Sequence, residues 1–355
     1  MAPPSTTRLR CQCGIDAHAH VVPENFPRYL GSAAPADWPS MAPAHECHRS
    51  VMISGKVYRT VSDKCWDTGK RLEDLAAMGL ELQAVSPMPE LLSYWMKAAD
   101  AQPLLRFLND EIARMVADSG GRLVGLGAVP LQDIDMAVRE LEYCVGTLGF
   151  AGVEVGSNIN GRPIGAPEFD AFFEACEALG AAVFVHAIRP AMERLAGPAP
   201  LQQVLGYPSD VGLAAASVLT TNLIERCPGL RIAFRHGGGT LGLLLPRLQQ
   251  AWGVFPALKD SINSSPREQA RKLFYDTLVF DAATLSHLVT VYGATQMMIG
   301  TDYPFNFHEH DPVGAIEAAR FDDGTREMLL HGNARRFLAR TDPAVAAGPM
   351  TRHPT

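Results

Sequence analysis

Two histidines one residue apart, His18 and His20, stand near the start of the chain in the run DAHAH. In a β-strand residues i and i+2 face the same side, so two imidazoles at this spacing can share one metal ion. His186 ends a short apolar run, AAVFVHA. His236 ends another, LRIAFRHG, and leads straight into Gly237, Gly238 and Gly239. Asp302 lies at the end of MMIGTDYP. Imidazole nitrogens plus one carboxylate suit Zn2+, and Mn2+ or Fe2+ less specifically. Taken singly, a buried histidine is ordinarily a hydrogen-bonded core residue, and an Asp before Tyr-Pro is an ordinary turn former. Chance rarely places all five at the ends of apolar runs, and the reading of a metal site rests on that conjunction.

Strands must bring these residues together. Candidate strands cover 13–20, 81–87, 123–131, 151–157, 181–187, 230–237, 273–280 and 297–304. Several are apolar on both faces, as strands of a parallel sheet covered by helices are. Helical spacing fills the intervals: Ile134, Ala137, Val138, Leu141 and Val145 recur at steps of three and four, as do Phe169, Phe172, Phe173 and Cys176. Asp133 and Pro167 mark helix starts. Eight strand–helix repeats predict a closed (β/α)8 barrel, with a doubly wound sheet as the alternative. In a barrel the five residues converge on the mouth at the strands' C-terminal ends, where catalytic groups collect. Residues 21–70 break the pattern and read as an insertion after the first strand, covering the active site. The expected organisation is one domain over residues 1–340 and a loose tail over 341–355.

The chain has 355 residues, 47% of them hydrophobic and 19% charged, and a formal net charge of −7. That composition supports a large core and excludes disorder over most of the chain. The acidic balance, with no Lys/Arg block, argues against nucleic-acid binding. No apolar run approaches the length of a spanning helix, and no secretory leader is expected from the first residues. Seven cysteines, an odd number scattered widely, suit a reducing cytoplasm better than a disulfide framework.

The motifs DAHAHVVP, VFVHAIRP, FRHGGGTLGLLLPRLQQAW and MMIGTDYPF, in this order and spacing, resemble the amidohydrolase superfamily and, within it, the branch of aminocarboxymuconate-semialdehyde decarboxylase. The resemblance extends over residues 14–340. It implies one divalent metal, zinc first and manganese or iron as alternatives, held by His18, His20, His186 and Asp302. It implies that His236 is the acid/base on the metal-bound water and that no organic cofactor is needed. It further implies that Arg59 and Arg247 grip substrate carboxylates, Arg247 reaching the neighbouring subunit's active site in a homodimer. Trp66 and Phe305 are candidate apolar walls.

The pattern departs from its relatives after His186, where Arg189 comes near the mouth as a third candidate contact, and after Asp302, where His308 and His310 enrich the loop. Glu154 is the only carboxylate on the fourth strand and the only candidate bridge to a second metal; its neighbours Val153 and Val155 look core-facing, which favours one ion. Cys11, Cys13, His45 and His48 lack zinc-ribbon spacing. Gly237–Gly239 has no Lys-Ser/Thr after it and is not a P-loop, so close backbone approach beside the metal is the expected reason for it. The reaction expected is non-oxidative decarboxylation of a carboxylated semialdehyde or aromatic acid from aromatic-compound catabolism, with Asp302 or His236 protonating the ring carbon of an aromatic acid. Hydrolysis or hydration of a lactone, amide or conjugated acid by the same metal-bound water is the alternative.

Overall fold

A computed structural model describes residues 13–191 and 195–339. Eight parallel strands follow one another in sequence order: β1 (Gly14–Val21), β2 (Leu80–Pro87), β3 (Leu123–Ala128), β4 (Gly152–Gly156), β5 (Ala182–His186), β6 (Arg231–Phe234), β7 (Phe274–Asp276) and β8 (Met297–Met298). Backbone bonds between β1 and the chain after β8 close the ring: Ala17 N donates to Ile299 O and His20 N to Tyr303 O. The expected (β/α)8 barrel is therefore the fold. The principal helices are α1 (Thr68–Ala77), α2 (Ala98–Asp118), α3 (Ile134–Glu142), α4 (Asp170–Ala178), α5 (Tyr207–Thr220), α6 (Leu241–Val254), α7 (Ala282–Tyr292) and α8 (Pro312–Ala318). Asp133 caps α3 by accepting from Met136 N, and Pro167 opens the short turn that leads into α4.

The core has two parts. Alternate strand residues such as Val153, Val155, Val183, Val185, Ile232 and Phe234 pack outward against the helices. The other set, including Leu82, Ala84, Phe184, Ala233 and Phe274, fills the barrel. Phe337, on the short helix Asn333–Phe337, packs with that inner set, its ring 5.4 Å from that of Phe274.

Three expectations need correction. The last three strands are much shorter than the apolar runs, because the chain turns away after Phe234, Asp276 and Met298. The break at 21–70 is not irregular: Ser40–Pro43, His48–Ile53 and Lys56–Ser62 form an antiparallel sheet. Its second hairpin turns at Ser54 and Gly55, both with positive φ, the geometry that matches the strand twist. Third, α1 starts inside this stretch, at Thr68, under an Asp67 cap.

Candidate active site

A register irregularity lies between Asp16 and Ala19 in the pairing of β1 with β2. It changes the parity of the strand. Ile15 and Ala17 join the inner cluster below it, while Ala19 and Val21 pack outward above it. His18 and His20 therefore both enter the barrel mouth. His186 follows the inward Phe184 on β5 and comes within 5.5 Å of His18 and 4.9 Å of His20, centroid to centroid.

Two of these imidazoles have Nδ1 committed to an acceptor. His18 Nδ1 donates to Asp276 Oδ2 at 2.8 Å and His20 Nδ1 to the Pro87 carbonyl at 3.2 Å, while His186 Nδ1 stands 2.7 Å from both the Ala187 carbonyl and the Arg235 Nη1 donor. For His18 and His20 the network favours the tautomer that leaves a lone pair on Nε2. Nε2 of His18 and His20 face each other at 3.1 Å, with Asp302 Oδ1 3.0 Å from His20 Nε2. Buried His186 Nε2 and Asp302 Oδ1 have no hydrogen-bond partner. Ligand atoms of His18, His20, His186 and Asp302 all lie within 4.8 Å of one another. Such converging lone pairs repel one another unless a cation stands among them, so this donor set fits one divalent ion. Burial disfavours the charged form of Asp302, yet the Arg235 guanidinium beside it holds it well below the usual carboxylate range.

His236 reaches the same place by a bent route. On a straight strand it would face outward with Ile232 and Phe234. Its backbone instead adopts φ 53° and ψ 41°, swinging the side chain to the mouth. Burial, then the Arg235 charge, hold its imidazole well below its usual pKa, so it is neutral. The following glycines serve packing rather than approach to a metal: a Cβ on Gly238 would stand 2.6 Å from the Tyr275 ring, and one on Gly239 would stand 1.9 Å from the Pro208 carbonyl.

Arg59, Phe305, His186, His236 and Asp302 line one pocket, together with Tyr58, Glu90, Tyr207 and Arg235. The Arg59 guanidinium lies 4.2 Å over the Phe305 ring, which stacks on His20. Glu154 sits below, bonded by Ser86 Oγ at 2.7 Å and 3.8 Å from His20 Nδ1. Burial pushes its pKa up to about 8, and it stands outside the ligand cluster.

Two expected contacts lie elsewhere, and the third faces solvent. Arg189 pairs with Glu90 at 2.8 Å and stacks 3.2 Å over Trp95, on a neighbouring groove. Trp66 lies beneath Arg49, away from the pocket, because it precedes α1 on the outer side. Arg247 is exposed on α6. The rings of His308 and His310 meet at a tilt, centroids 3.9 Å apart, beside Cys47 and His48 on a separate surface. Cys11 lies outside the described residues, and among those residues the His/Asp cluster at the mouth is the one group with metal-ligand geometry. Cys47, Cys65, Cys144, Cys176 and Cys227 form no disulfide.

Three residues at the site were not singled out from sequence. Asp276 fixes the His18 tautomer. Glu90 places a carboxylate in the pocket. Arg235, one of the most deeply buried charges, contacts His186, His236 and Asp302. The alternation of outward Ile232 and Phe234 is the signal that places Arg235 inside.

A closed parallel barrel with a His/His/His/Asp cluster at its C-terminal mouth defines a metal-dependent enzyme of amidohydrolase type. The amidohydrolase family profile matches residues 15–340, and the chain belongs to that family. A 2-amino-3-carboxymuconate-6-semialdehyde decarboxylase of Dictyostelium discoideum is 35% identical over 326 residues, 91% of each chain. The apo structure of an IDCase from Metarhizium anisopliae has a TM-score of 0.78 at 19% identity, covering 92% of this chain and 97% of that one. A dihydroxybenzoic acid decarboxylase from Polaromonas, solved with bound manganese and 2-nitroresorcinol, has a TM-score of 0.73 at 21% identity, covering 92% and 96%. Within the family the chain falls in the aminocarboxymuconate-semialdehyde decarboxylase-like branch, and it is a metal-dependent decarboxylase. No helix among the described residues is long and apolar enough to cross a membrane.

Proposed function

We propose that this enzyme removes CO2 non-oxidatively from a carboxylated dienal or an aromatic acid produced in the breakdown of aromatic compounds, using one zinc ion held by His18, His20, His186 and Asp302. The observation that carries the reading is the convergence of these four donors beside neutral His236, in one pocket with Arg59 and Phe305. The bound ion would supply Lewis-acid polarisation of a substrate oxygen and acidify water.

The chain's own groups do the rest. Arg59 grips a substrate carboxylate through two parallel hydrogen bonds. Phe305 offers an apolar face to the conjugated plane. His236 accepts a proton at Nε2 from water in the pocket and delivers it to the reacting carbon. There the carbon–carboxylate bond breaks, its electron pair remains on carbon and spreads into the conjugated system, and the proton replaces the departing CO2. The substrate is its own electron sink, so no organic cofactor takes part.

The same reading makes the working unit a cytoplasmic homodimer. Leu243 and Leu244 are exposed on α6 beside Arg247, and a second copy covering this face would carry Arg247 toward the neighbouring pocket. It also makes residues 1–340 one domain, with 21–70 lying over the mouth through Tyr58 and Arg59; the expected tail at 341–355 lies outside the described residues. The first experiment is metal analysis of protein purified without added metal, followed by CO2 release from aromatic-pathway acids. About one zinc per chain and released CO2 are expected. Turnover of a lactone or amide without gas refutes the reading, as does the absence of any bound metal.

A further inference from the structure

Arg235 has more N–H donors than its surroundings use. The inward row of β6 runs through Ala233 to Arg235, and the guanidinium ends in the pocket beside Arg59. Its side chain is 2% exposed. Nη2 donates to Asp302 Oδ2 at 2.9 Å and to His236 Nε2 at 2.6 Å. Nη1 points at His186 Nδ1 at 2.7 Å, a nitrogen that also lies 2.7 Å from the Ala187 carbonyl. Nε has no partner. A guanidinium with five N–H groups thus meets one carboxylate oxygen and two imidazole nitrogens. All three have other work, Asp302 and His186 in the ligand cluster and His236 as the base.

The pocket's other carboxylate does not balance this charge. Glu90 is already paired with Arg189 at 2.8 Å. Arg59 and Arg235 therefore face Asp302 alone, and a divalent ion in the ligand cluster would add further positive charge. A planar carboxylate brings two oxygens and one negative charge, which matches an idle guanidinium fork.

We propose that Arg235 is a substrate-binding residue: its guanidinium passes from Asp302 and His236 to a carboxylate of the substrate, uncovering the His236 Nε2 lone pair only when substrate is in place. The substrate's identity as a carboxylate rests on the decarboxylase reading above. With Arg59 holding a second carboxylate, the pocket selects dicarboxylates over monocarboxylates.

The test uses the zinc-loaded enzyme and its Arg235→Met and Arg235→Lys variants. Three quantities are measured: zinc per chain, isophthalate binding by calorimetry, and the rate at which diethyl pyrocarbonate acylates the peptide containing His236. Arg235→Met is expected to keep its zinc, to lose about tenfold or more in isophthalate affinity, and to acylate several-fold faster at His236. Arg235→Lys keeps the charge without the fork and falls between; it carries the test alone if the Met variant does not fold. Unchanged isophthalate affinity in the variants overturns the proposal. So does loss of zinc from both, which makes Arg235 a support of the ligand cluster, and so does a wild-type enzyme that fails to bind isophthalate. Absence of CO2 release from every acid tried refutes the decarboxylase reading instead, and leaves the binding and acylation results intact.

Discussion

Replacing Asp276 by Asn tests the metal site without touching a ligand. Asp276 is fully buried on β7. Its Oδ1 accepts from Gly237 N at 2.9 Å and Leu278 N at 3.2 Å, and its Oδ2 accepts the proton of His18 Nδ1 at 2.8 Å. In Asp276→Asn the amide oxygen stays with the two backbone donors, because turning it away would leave both buried N–H groups unpaired. The amide NH2 then points at His18 Nδ1. That nitrogen must now accept, so the single proton of the neutral ring moves to Nε2, the atom that should bind metal. Partner losses of this kind cost about 10–100-fold in metal affinity, or roughly 1.4–2.7 kcal/mol. A tautomer reversal belongs at the upper end of that range. The assay is zinc competition against a chromophoric chelator, with a thermal melt of the metal-free protein as control. Asp276→Ala removes the acceptor without imposing the wrong tautomer and should bind zinc better than Asp276→Asn. Zinc affinity unchanged in Asp276→Asn refutes the tautomer argument, and with it the assignment of Nε2 as the ligand atom of His18.

Three further predictions follow from the same geometry. His236→Ala should retain about one metal per chain while CO2 release falls by roughly 100-fold or more, whereas Asp302→Ala should lose metal and activity together; metal analysis beside the CO2 assay separates them. Arg71→Met should destabilise the fold by about 2–4 kcal/mol in urea titration, because the fully buried guanidinium donates to Gln83 Oε1 and to the carbonyls of His20 and Lys64, and all three lose their partner. Gly239→Ala should cost about 3 kcal/mol or more, since φ is 59° and the new Cβ would meet the Pro208 carbonyl at 1.9 Å. Gly120→Ala, at φ 60° with nothing within 4 Å, should cost only about 1 kcal/mol, and equal losses in the two would show that backbone conformation alone decides.

The sequence carries the barrel and the residues of the four-donor cluster because both depend on local rules. Eight apolar runs separated by helical spacing admit few topologies, and the His-x-His spacing works on any strand. Asp276 was also within reach, as the lone carboxylate in the apolar run LFYDTLVF. Arg189, Trp66 and Glu90 were not. They lie on connections, where no period says which way a side chain points. Arg189 reads as a mouth residue until Trp95 and Glu90 claim it, and those partners are distant in sequence. The ends of β6, β7 and β8 were misread for a related reason: apolar composition continues past the point where the chain turns to present His236 and Asp302.

Those two turns show what the site demands of its backbone. His236 at φ 53° and Asp302 at φ 64° are both non-glycine residues in the left-handed region. Each such residue costs on the order of 1 kcal/mol and persists only where the surroundings hold it. The braces are identifiable. Behind Asp302, Thr301 is bonded through both N and Oγ1 to Asp16, which is buried on the outer face of β1 and also takes a bond from Gln83. Behind His236, Gly237 N is held by Asp276. One carboxylate thus orients His18 on β1 and fastens the bend that delivers His236 from β6. Metal binding and base placement are therefore coupled through Asp276, and its removal should impair CO2 release more than its effect on zinc affinity accounts for. Full activity of Asp276→Ala at saturating zinc would show that the bend at His236 holds without it.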